Sequence, residues 1–427
     1  MRAWMKRIAI AIASVAAVLA IAMTGAFYYF ASPEPLPERE PVPDQTPFRL
    51  ETRVGEYRLP DGGNRLLTFG ADGGLYLFRI EDHRFAREDS LGRILAHDAE
   101  RFTWHGRGEA FEREVTFEDD AEGRALAFLW QDQGETQRAE RILDSPLALR
   151  QVAFGNADVP LSGTLFLPAG SEAIPAAVLI HGSGASDRDN LWYVHLARYL
   201  AVNGIAVFLP DKRGTGQSGG EWRTASFEDF AEDTLAALRA VARQPEIDGG
   251  RVGIVGISQG GWIAPLVAAW SQDVRFVVNL SGAAVRPVDQ LRHETRQTLR
   301  QEGVPNWLAG VLVPYAAAFP QHRRAVWWNR NGAFDPEPLW RATRQPALVV
   351  YGREDERDNV AVAESVEVFE RIARDRPYLT VHVFEGVGHG LYDAKTRIIN
   401  GDFLEMLRGW IASQVAIEAP ASLGSGD

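Results

Sequence analysis

Hydrophobic and polar positions divide this chain into segments with three different patterns. Residues 8–30 form an apolar stretch without a charged side chain. From residue 48 to about 145, apolar runs of three to five residues alternate with turn sequences rich in Asp and Gly. After residue 147, apolar runs of four to six residues alternate with longer segments of helical periodicity. These patterns predict, in order, a membrane-length helix, a small β-rich domain and an α/β domain.

The N-terminal apolar stretch has the length of a membrane-spanning helix. Its 23 residues would form a helix of about 34 Å, enough to cross a hydrocarbon core of about 30 Å. Basic residues precede it, so the positive-inside rule places the N-terminus in the cytoplasm. We interpret residues 1–31 as a signal anchor that holds the remaining chain outside the cytoplasm, in the periplasm or the extracellular space. The alternative is a signal peptide cleaved near residues 24–26, which would give a secreted protein.

Two further segments separate this stretch from the α/β pattern. Residues 32–47 contain six prolines and no apolar periodicity, which predicts an extended spacer. Residues 48–146 predict a small antiparallel sandwich or barrel, because short strands alternate with glycine turns. The three histidines of this region are too irregularly spaced to indicate a metal site, and the region carries no chemical motif.

The α/β pattern occupies residues 147–417 and leaves 418–427 as a flexible tail. It predicts a mainly parallel sheet with helices on both faces. One interval, residues 286–345, is far longer than a connection between neighbouring strands requires, and it holds nine arginines, five acidic residues and four tryptophans. We interpret it as a helical cap over the carboxyl edge of the sheet, the alternative being a surface excursion packed for stability. The predicted strands are 176–180, 205–209, 252–257, 276–280 and 347–350, and the predicted helices are 191–202, 227–243 and 262–270.

The composition excludes several kinds of reaction and disfavours one class of partner. The chain has 45 basic and 57 acidic residues, a net charge of −12, which disfavours a nucleic-acid partner. It contains no cysteine, so disulfides, iron–sulfur clusters and a cysteine nucleophile are excluded. Nothing in the sequence implies a metal or an organic cofactor.

Two segments match the nucleophile pattern G-x-S-x-G. The segment at residues 256–260 follows an apolar strand directly and precedes a helix-forming segment. A sharp strand–nucleophile–helix turn requires glycines on both sides of the serine. In the segment at residues 216–220, Ser218 lies eight residues beyond its strand with no helix directly behind it, so it is interpreted as a loop serine. Ser258 is therefore the predicted nucleophile.

A serine nucleophile needs a base and an acid that orients it. In α/β-hydrolase geometry the chain order is Ser, then Asp or Glu, then His. His389 lies in a glycine-rich loop after the strand-like segment 378–384 and is the candidate base. Asp355 follows the preceding strand and is the candidate acid, with Asp358 and Glu354 as rivals.

The oxyanion of an acyl-transfer intermediate needs two backbone N–H donors. One should be Gln259, directly after the nucleophile. The other should come from the loop at residues 181–189, where Ser183 is the favoured donor. His181 in the same loop is interpreted as structural.

Three motifs together resemble a known family. They are H-G-S-G and D-R-D within residues 181–189, D-K-R-G-T-G-Q-S at 211–218 and G-I-S-Q-G at 256–260. The chain, from about residue 147 to 415, looks like the serine esterases and acyl hydrolases of the α/β-hydrolase superfamily, in particular a bacterial branch with HGSGPxDRD-type and DKRGxGxS loops. Members of that branch often carry an extra β-rich domain before the hydrolase domain. Ala185 departs from the pattern, since proline is usual there.

The resemblance implies an α/β-hydrolase fold, a triad of Ser258, Asp355 and His389, and a helical insert that acts as a cap. The expected function is hydrolysis of a small carboxylic ester through an acyl-enzyme. The tryptophans of the insert suggest an apolar acyl or aryl group, and its arginines suggest an anionic one.

Other functions remain open. A serine peptidase related to prolyl oligopeptidases would need a propeller, for which about 100 residues are too few. A thioesterase on the same fold is a further alternative. From another class, the chain could be an inactive, membrane-tethered binding protein on a hydrolase scaffold. The oligomeric state is left open.

Overall fold

The computed structural model describes residues 34–36, 49–80, 90–97, 101–106, 112–132, 134–393, 395–396 and 398–415. The predicted anchor, most of the proline-rich spacer and the predicted C-terminal tail lie outside these ranges. Within them, no helix combines the length and the apolar character needed to cross a bilayer.

The first folded unit is a closed antiparallel barrel of eight strands. Each strand pairs with the next along the chain, and the last pairs with the first. Its interior is filled by buried aliphatic and aromatic side chains, among them Leu77, Ile94 and Phe128. Closure removes the sheet edges, so the prediction of a sandwich or barrel resolves as a barrel. The strands are β1 Gly55–Arg58, β2 Asn64–Phe69, β3 Leu75–Arg79, β4 Ser90–Ala96, β5 Phe102–Gly106, β6 Glu112–Asp119, β7 Ala125–Asp132 and β8 Glu135–Arg141.

The second unit is built on an eight-stranded sheet with the order β16-β15-β14-β13-β11-β12-β10-β9. The six strands from β11 to β16 are parallel, as predicted. An antiparallel hairpin, β9 with β10, completes one edge and pairs with β12. The strands are β9 Leu147–Asn156, β10 Val159–Pro168, β11 Ile174–Ile180, β12 Ala206–Pro210, β13 Ile247–Ile257, β14 Val277–Leu280, β15 Ala347–Gly352 and β16 Leu379–Phe384.

Helices cover both faces of this sheet. One apolar cluster joins the sheet to α2, α3 and α9, and a second joins the opposite face to α1 and α10. The second cluster also includes Leu66 and Phe78, so the barrel shares a core with the sheet domain. The helices are α1 Leu191–Val202, α2 Phe227–Ala242, α3 Gly260–Trp270, α4 Pro287–Gln301, α5 Asn306–Arg323, α6 Ala325–Asn331, α7 Glu337–Ala342, α8 Asp355–Asp358, α9 Val362–Ala373 and α10 Gly401–Val415.

The long interval between β14 and β15 consists of the four helices α4 to α7. Trp340 of α7 is almost fully buried against the sheet domain and contacts Phe369 of α9 edge to face. Residues of α4, α5 and α6 line a cavity above the carboxyl ends of the strands. The interval thus forms a roof over the sheet edge at which the chemistry-bearing loops meet.

The barrel also makes polar contacts with the second unit. Arg198 of α1 donates to the carboxylate of Glu56 in β1 at 2.6 Å. The backbone N–H of Ala71, in the β2–β3 turn, donates to the carboxylate of Asp189 at 3.1 Å. Because Asp189 lies in the loop after β11, the barrel supports a loop that borders the cavity.

Candidate active site

Ser258 occupies a sharp turn between β13 and α3. Its φ angle is 53°, in the left-handed region that a non-glycine residue enters only at a cost of order 1–3 kcal/mol. The turn is held by the N–H of Ser258, which donates to the carbonyl of Leu280 at 2.8 Å. A Cβ at Gly256 would collide with the carbonyl of Gly260, and one at Gly260 with the carbonyl of Ile180. The two glycines around the serine are thus required by close backbone approach, which is the reason the sequence motif implied.

His389 and Asp355 are brought together from two loops at the carboxyl ends of neighbouring strands. Asp355 begins α8 just after β15, and His389 lies in the loop after β16. Nδ1 of His389 lies 2.8 Å from Oδ2 of Asp355. The carboxylate is fully buried, whereas the imidazole is 30% exposed. The other carboxylate oxygen accepts the N–H of Val360 at 3.3 Å, which fixes the orientation of the group.

The rival residues occupy other environments. Asp358 is exposed and accepts a hydrogen bond from Nε of Arg357 at 3.1 Å, and Glu354 pairs with the same arginine. Ser218 is buried, its hydroxyl donates to the carbonyl of Asp211 at 2.9 Å and it accepts from the N–H of Ser162 at 3.0 Å. Ser218 therefore stabilises its loop, in agreement with the sequence interpretation.

Ser183 and Gln259, the two expected oxyanion donors, both line the cavity together with Ser258 and His389. Across the described ranges of the chain, the backbone N–H groups of Ser183 and Gln259 make no hydrogen bond to another residue. These two donors are thus available at the wall that also presents the Ser258 side chain. The arrangement is able to accept a developing negative charge on a substrate oxygen.

Lys212 contacts both the loop that carries Ser183 and the side chain of Gln259. Its buried ammonium donates to the carbonyls of Gly182 and Gly184 at 2.7 and 3.1 Å and to Oε1 of Gln259 at 2.8 Å. Burial lowers the pKa of Lys212 from 10.5 to about 7, because the charged form is removed from water. The sequence places Lys212 within the D-K-R-G motif but predicts no role for it. The signal that could have found it is the rarity of lysine, which occurs three times in the chain.

A buried ion pair anchors the loop after β11. Arg188 and Asp211 are both inaccessible to solvent, and Nη2 of Arg188 lies 2.6 Å from Oδ2 of Asp211. The backbone N–H of Arg188 donates to the same carboxylate at 2.9 Å. These bonds tie the loop at residues 181–189 to the loop after β12 and explain the D-R-D and D-K-R-G motifs in structural terms.

Two acidic residues flank this arginine and share a hydrogen bond. Burial and the neighbouring Asp189 carboxylate raise the pKa of Asp187 far above that of an ordinary aspartate. The pKa of Asp189 is raised as well, mainly by burial. Because two adjacent carboxylates cannot both ionise easily, the pair holds a proton at neutral pH.

His181 serves the same loop. Its Nε2 lies 2.6 Å from the carbonyl of Pro210, and its Nδ1 lies 2.9 Å from the hydroxyl of Ser186. Burial lowers the pKa of His181 to about 4, so the ring is neutral at ordinary pH. These contacts agree with the expected structural role.

The cavity has a volume of about 860 Å³. Aromatic side chains form much of its wall, and Glu294 of α4 also lines it, near the imidazole of His389. Burial raises the pKa of Glu294, and the positive charge of a protonated His389 opposes that shift. The aromatic lining residues are Trp192, Tyr193, Trp222, Trp262, Phe319, Trp327, Trp328 and Tyr392.

The chain is similar to known proteins both in sequence and in structure. The sequence model of the alpha/beta hydrolase family matches residues 177–398, just over half of the chain. Esterase EstD of Thermotoga maritima is 24% identical over 244 residues, which are 54% of this chain and 57% of that protein. The uncharacterized peptidase YuxL of Bacillus subtilis is 26% identical over 221 residues, 49% of this chain and 30% of that protein. The chain thus spans about half or less of the length of such relatives.

Among solved structures, an esterase of Pyrococcus furiosus superposes with a TM-score of 0.44 at 20% identity, covering 63% of this chain and 91% of that chain.

Proposed function

Because this chain belongs to the alpha/beta hydrolase family, we propose that it is a serine hydrolase that cleaves carboxylic esters through an acyl-enzyme. The observation that carries the proposal is the placement of Ser258 and His389 on one cavity, with His389 bonded to the buried Asp355 at 2.8 Å. A nucleophile, a base and a group that orients the base are the parts that such a reaction requires.

In the proposed acylation step, Nε2 of His389 accepts the hydroxyl proton of Ser258 as Oγ attacks the carbonyl carbon of the ester. The backbone N–H groups of Gln259 and Ser183 stabilise the resulting oxyanion. The bond from carbon to the leaving oxygen then breaks, and His389 returns its proton to the departing alcohol. The products are a free alcohol and an ester between the acyl group and Ser258.

In the deacylation step, His389 removes a proton from water, and the hydroxide attacks the acyl carbon. The bond to Oγ breaks, Ser258 regains its proton from His389, and the carboxylic acid leaves. Asp355 keeps Nδ1 of the imidazole protonated and stabilises the imidazolium that forms twice in the cycle.

The relatives include proteins named as an esterase and as a peptidase, so the type of bond cleaved needs its own test. A cavity of about 860 Å³ beneath a helical roof supports small ester substrates. Matched aryl ester, thioester and anilide substrates with one acyl group would rank the three chemistries by kcat/KM. A preference for the anilide would replace the esterase proposal with the peptidase alternative.

The direct test is labelling by a fluorophosphonate probe. Wild-type protein should be labelled, Ser258→Ala should not, and Ser218→Ala should be labelled like the wild type. An unlabelled wild type that also leaves every ester intact would contradict the proposal and favour the inactive binding protein. Labelling that survives in Ser258→Ala but not in Ser218→Ala would move the nucleophile to Ser218.

We also propose that the catalytic unit is held outside the cytoplasm by an N-terminal signal anchor. The support is the sequence alone: residues 8–30 lack charge and basic residues precede them. In cells expressing the full chain, the protein should stay with the membrane after alkaline carbonate washing and should be degraded by protease added from the outer side. Release into the medium as a shortened chain would favour the cleaved signal peptide.

A further inference from the structure

We infer that Arg323 and Arg324, at the end of α5, form a binding site for a carboxylate at the mouth of the cavity. The inference rests on the proposed function and specifies its substrate class: an ester whose apolar part fills the cavity and which carries a carboxylate away from the scissile bond. Both arginines line the cavity that contains Ser258 and His389.

Each of the two arginines lies beside an aromatic side chain. The guanidinium of Arg324 lies 5.6 Å from the ring centre of Trp222, and that of Arg323 lies 6.0 Å from the ring of Phe319. A third arginine at the mouth, Arg223, stacks on Trp222 and is paired with Glu221 at 3.2 Å. A guanidinium group presents its donors in a planar fork that matches a carboxylate.

A carboxylate of the chain itself already occupies this site. Glu34 lines the cavity, and its two carboxylate oxygens lie 3.8 Å from Arg323 and 3.9 Å from Arg324. The N–H of Glu34 also donates to the carbonyl of Arg323 at 3.1 Å. The carboxylate remains 41% exposed, so this pairing is loose enough for a substrate to displace it. Glu34 thus shows where, and with which partners, a ligand carboxylate would bind.

The charges along the cavity favour one orientation of such a substrate. Glu294 lies at the inner end, near His389, and the three arginines lie at the mouth. An ionised Glu294 would repel a carboxylate from the catalytic end, whereas the arginines attract it at the entrance. Trp327, Trp328 and Phe319 line the same cavity and provide apolar surface for the uncharged part of the substrate.

Because the chain as a whole is negatively charged, a preference for anionic esters would indicate a local positive site. A protein with a net charge of −12 repels anions over most of its surface. A preference for anionic esters must therefore come from a local positive site, and the arginines of the roof provide one.

The test compares neutral and carboxylate-bearing aryl esters of matched length in the full chain. One series consists of p-nitrophenyl hemiesters of dicarboxylic acids of increasing length beside the corresponding fatty acyl esters. A second series places the carboxylate on the leaving phenol. The measured quantity is the ratio of kcat/KM for the anionic ester to that for its neutral partner.

For the favoured series, this ratio should exceed one in the wild type and fall about tenfold in the Arg323→Gln, Arg324→Gln double variant, mainly through KM. Glu34→Gln keeps the backbone hydrogen bond but removes the competing charge. It should raise the ratio about two- to fivefold, as expected for an exposed ion pair. Arg292→Gln is the matched control, because Arg292 lies on α4 of the same roof, pairs with Asp289 and does not line the cavity.

The inference is wrong if the ratio is unchanged in the double variant, or if Arg292→Gln lowers it equally, since a general electrostatic effect would then account for the preference. A ratio below one in both series for the wild type would also overturn it. Turnover of neutral esters and fluorophosphonate labelling by the wild type would show in each case that the proposed function stands. Loss of both would indicate failure of the proposed function instead.

Discussion

Nδ1 of His389 donates a hydrogen bond to Oδ2 of Asp355 at 2.8 Å, and Asp355 is fully buried while His389 reaches the cavity. This relationship directs the second ring nitrogen, Nε2, away from the carboxylate. In the proposed reaction the buried acid therefore sets the tautomer of the base without meeting substrate or water.

Asp355→Asn should lower kcat by about four orders of magnitude. The amide oxygen would keep the N–H of Val360, so the amide NH2 would face Nδ1 of His389, donate to it and favour the wrong tautomer. Asp358→Asn is the matched control in the same short helix and should stay within about twofold of the wild type, since Asp358 contacts Arg357 at the surface. Steady-state hydrolysis of an aryl ester measures both. Equal losses in the two variants would contradict the assignment of Asp355.

The second prediction concerns Lys212 as a positioning residue. Lys212→Met removes the donors that join the oxyanion loop to Gln259 and leaves the carbonyl of Gly182 without its partner. Removal of one direct oxyanion donor costs about two to three orders of magnitude in kcat. Lys212→Met acts only indirectly, by disordering the supporting loop, so its effect should be smaller. We expect kcat to fall about ten- to a hundredfold and KM to stay nearly unchanged.

Lys395→Met is the control for this variant, because Lys395 is exposed in a turn. A purely structural role for Lys212 would lower the melting temperature and the amount of active protein, but titration of the remaining active sites with fluorophosphonate would then give a normal kcat per site. A reduced kcat per labelled site is the result that supports positioning.

Much of the sheet domain could be predicted from the sequence, because the patterns that indicate its strands and turns lie within short segments of the chain. The parallel strands β11 to β15 are largely buried and therefore contain continuous apolar runs, and the turn at Ser258 carries its own glycines. The proximity of His389 and Asp355 could be predicted because loops after neighbouring parallel strands meet at one edge of the sheet. Their catalytic roles stay predictions until the variants are measured.

The features that the sequence does not predict depend on contacts between segments that are distant in the chain. Lys212 meets acceptors that are 30 and 47 residues away in the chain, and Ala71 meets Asp189 across 118 residues. No pattern of hydrophobic and polar positions records such pairs. The β9–β10 hairpin was also missed, because β9 is buried on one side only and lacks the continuous apolar run of the central strands.

A third prediction follows from the shared proton of Asp187 and Asp189. Burial and the Asp189 carboxylate raise the pKa of Asp187 to about 9, whereas an aspartate in the unfolded chain titrates near 3.8. The folded protein therefore binds one more proton than the unfolded chain between these values. Because the group's folded pKa is raised, its contribution to stability is lost as pH rises from about 4 through about 9.

Asp187→Asn supplies a hydrogen-bond donor without an ionisable proton. Its melting temperature should decline less steeply than that of the wild type between neutral and alkaline pH, so that the two curves diverge in favour of the variant. Asp273→Asn, at an exposed position, should follow the wild-type curve. Parallel curves for Asp187→Asn and the wild type would mean that the pair is ionised in the folded protein.

The last prediction concerns the stability of the loop pair itself. Arg188→Met removes the guanidinium from Asp211 and leaves a carboxylate that is shielded completely from solvent. Breaking a buried ion pair on one side costs about 3–5 kcal/mol, because the remaining charge cannot reach water. The Asp211 carboxylate would keep the backbone N–H donors of Arg188 and Gln217. Arg150→Met is the comparison: its pair with Glu246 is partly exposed, so screening by water reduces its expected cost to about 1 kcal/mol or less. Urea unfolding followed by tryptophan fluorescence measures both, and a loss for Arg188→Met no larger than that for Arg150→Met would show that the loop relaxes to hydrate Asp211.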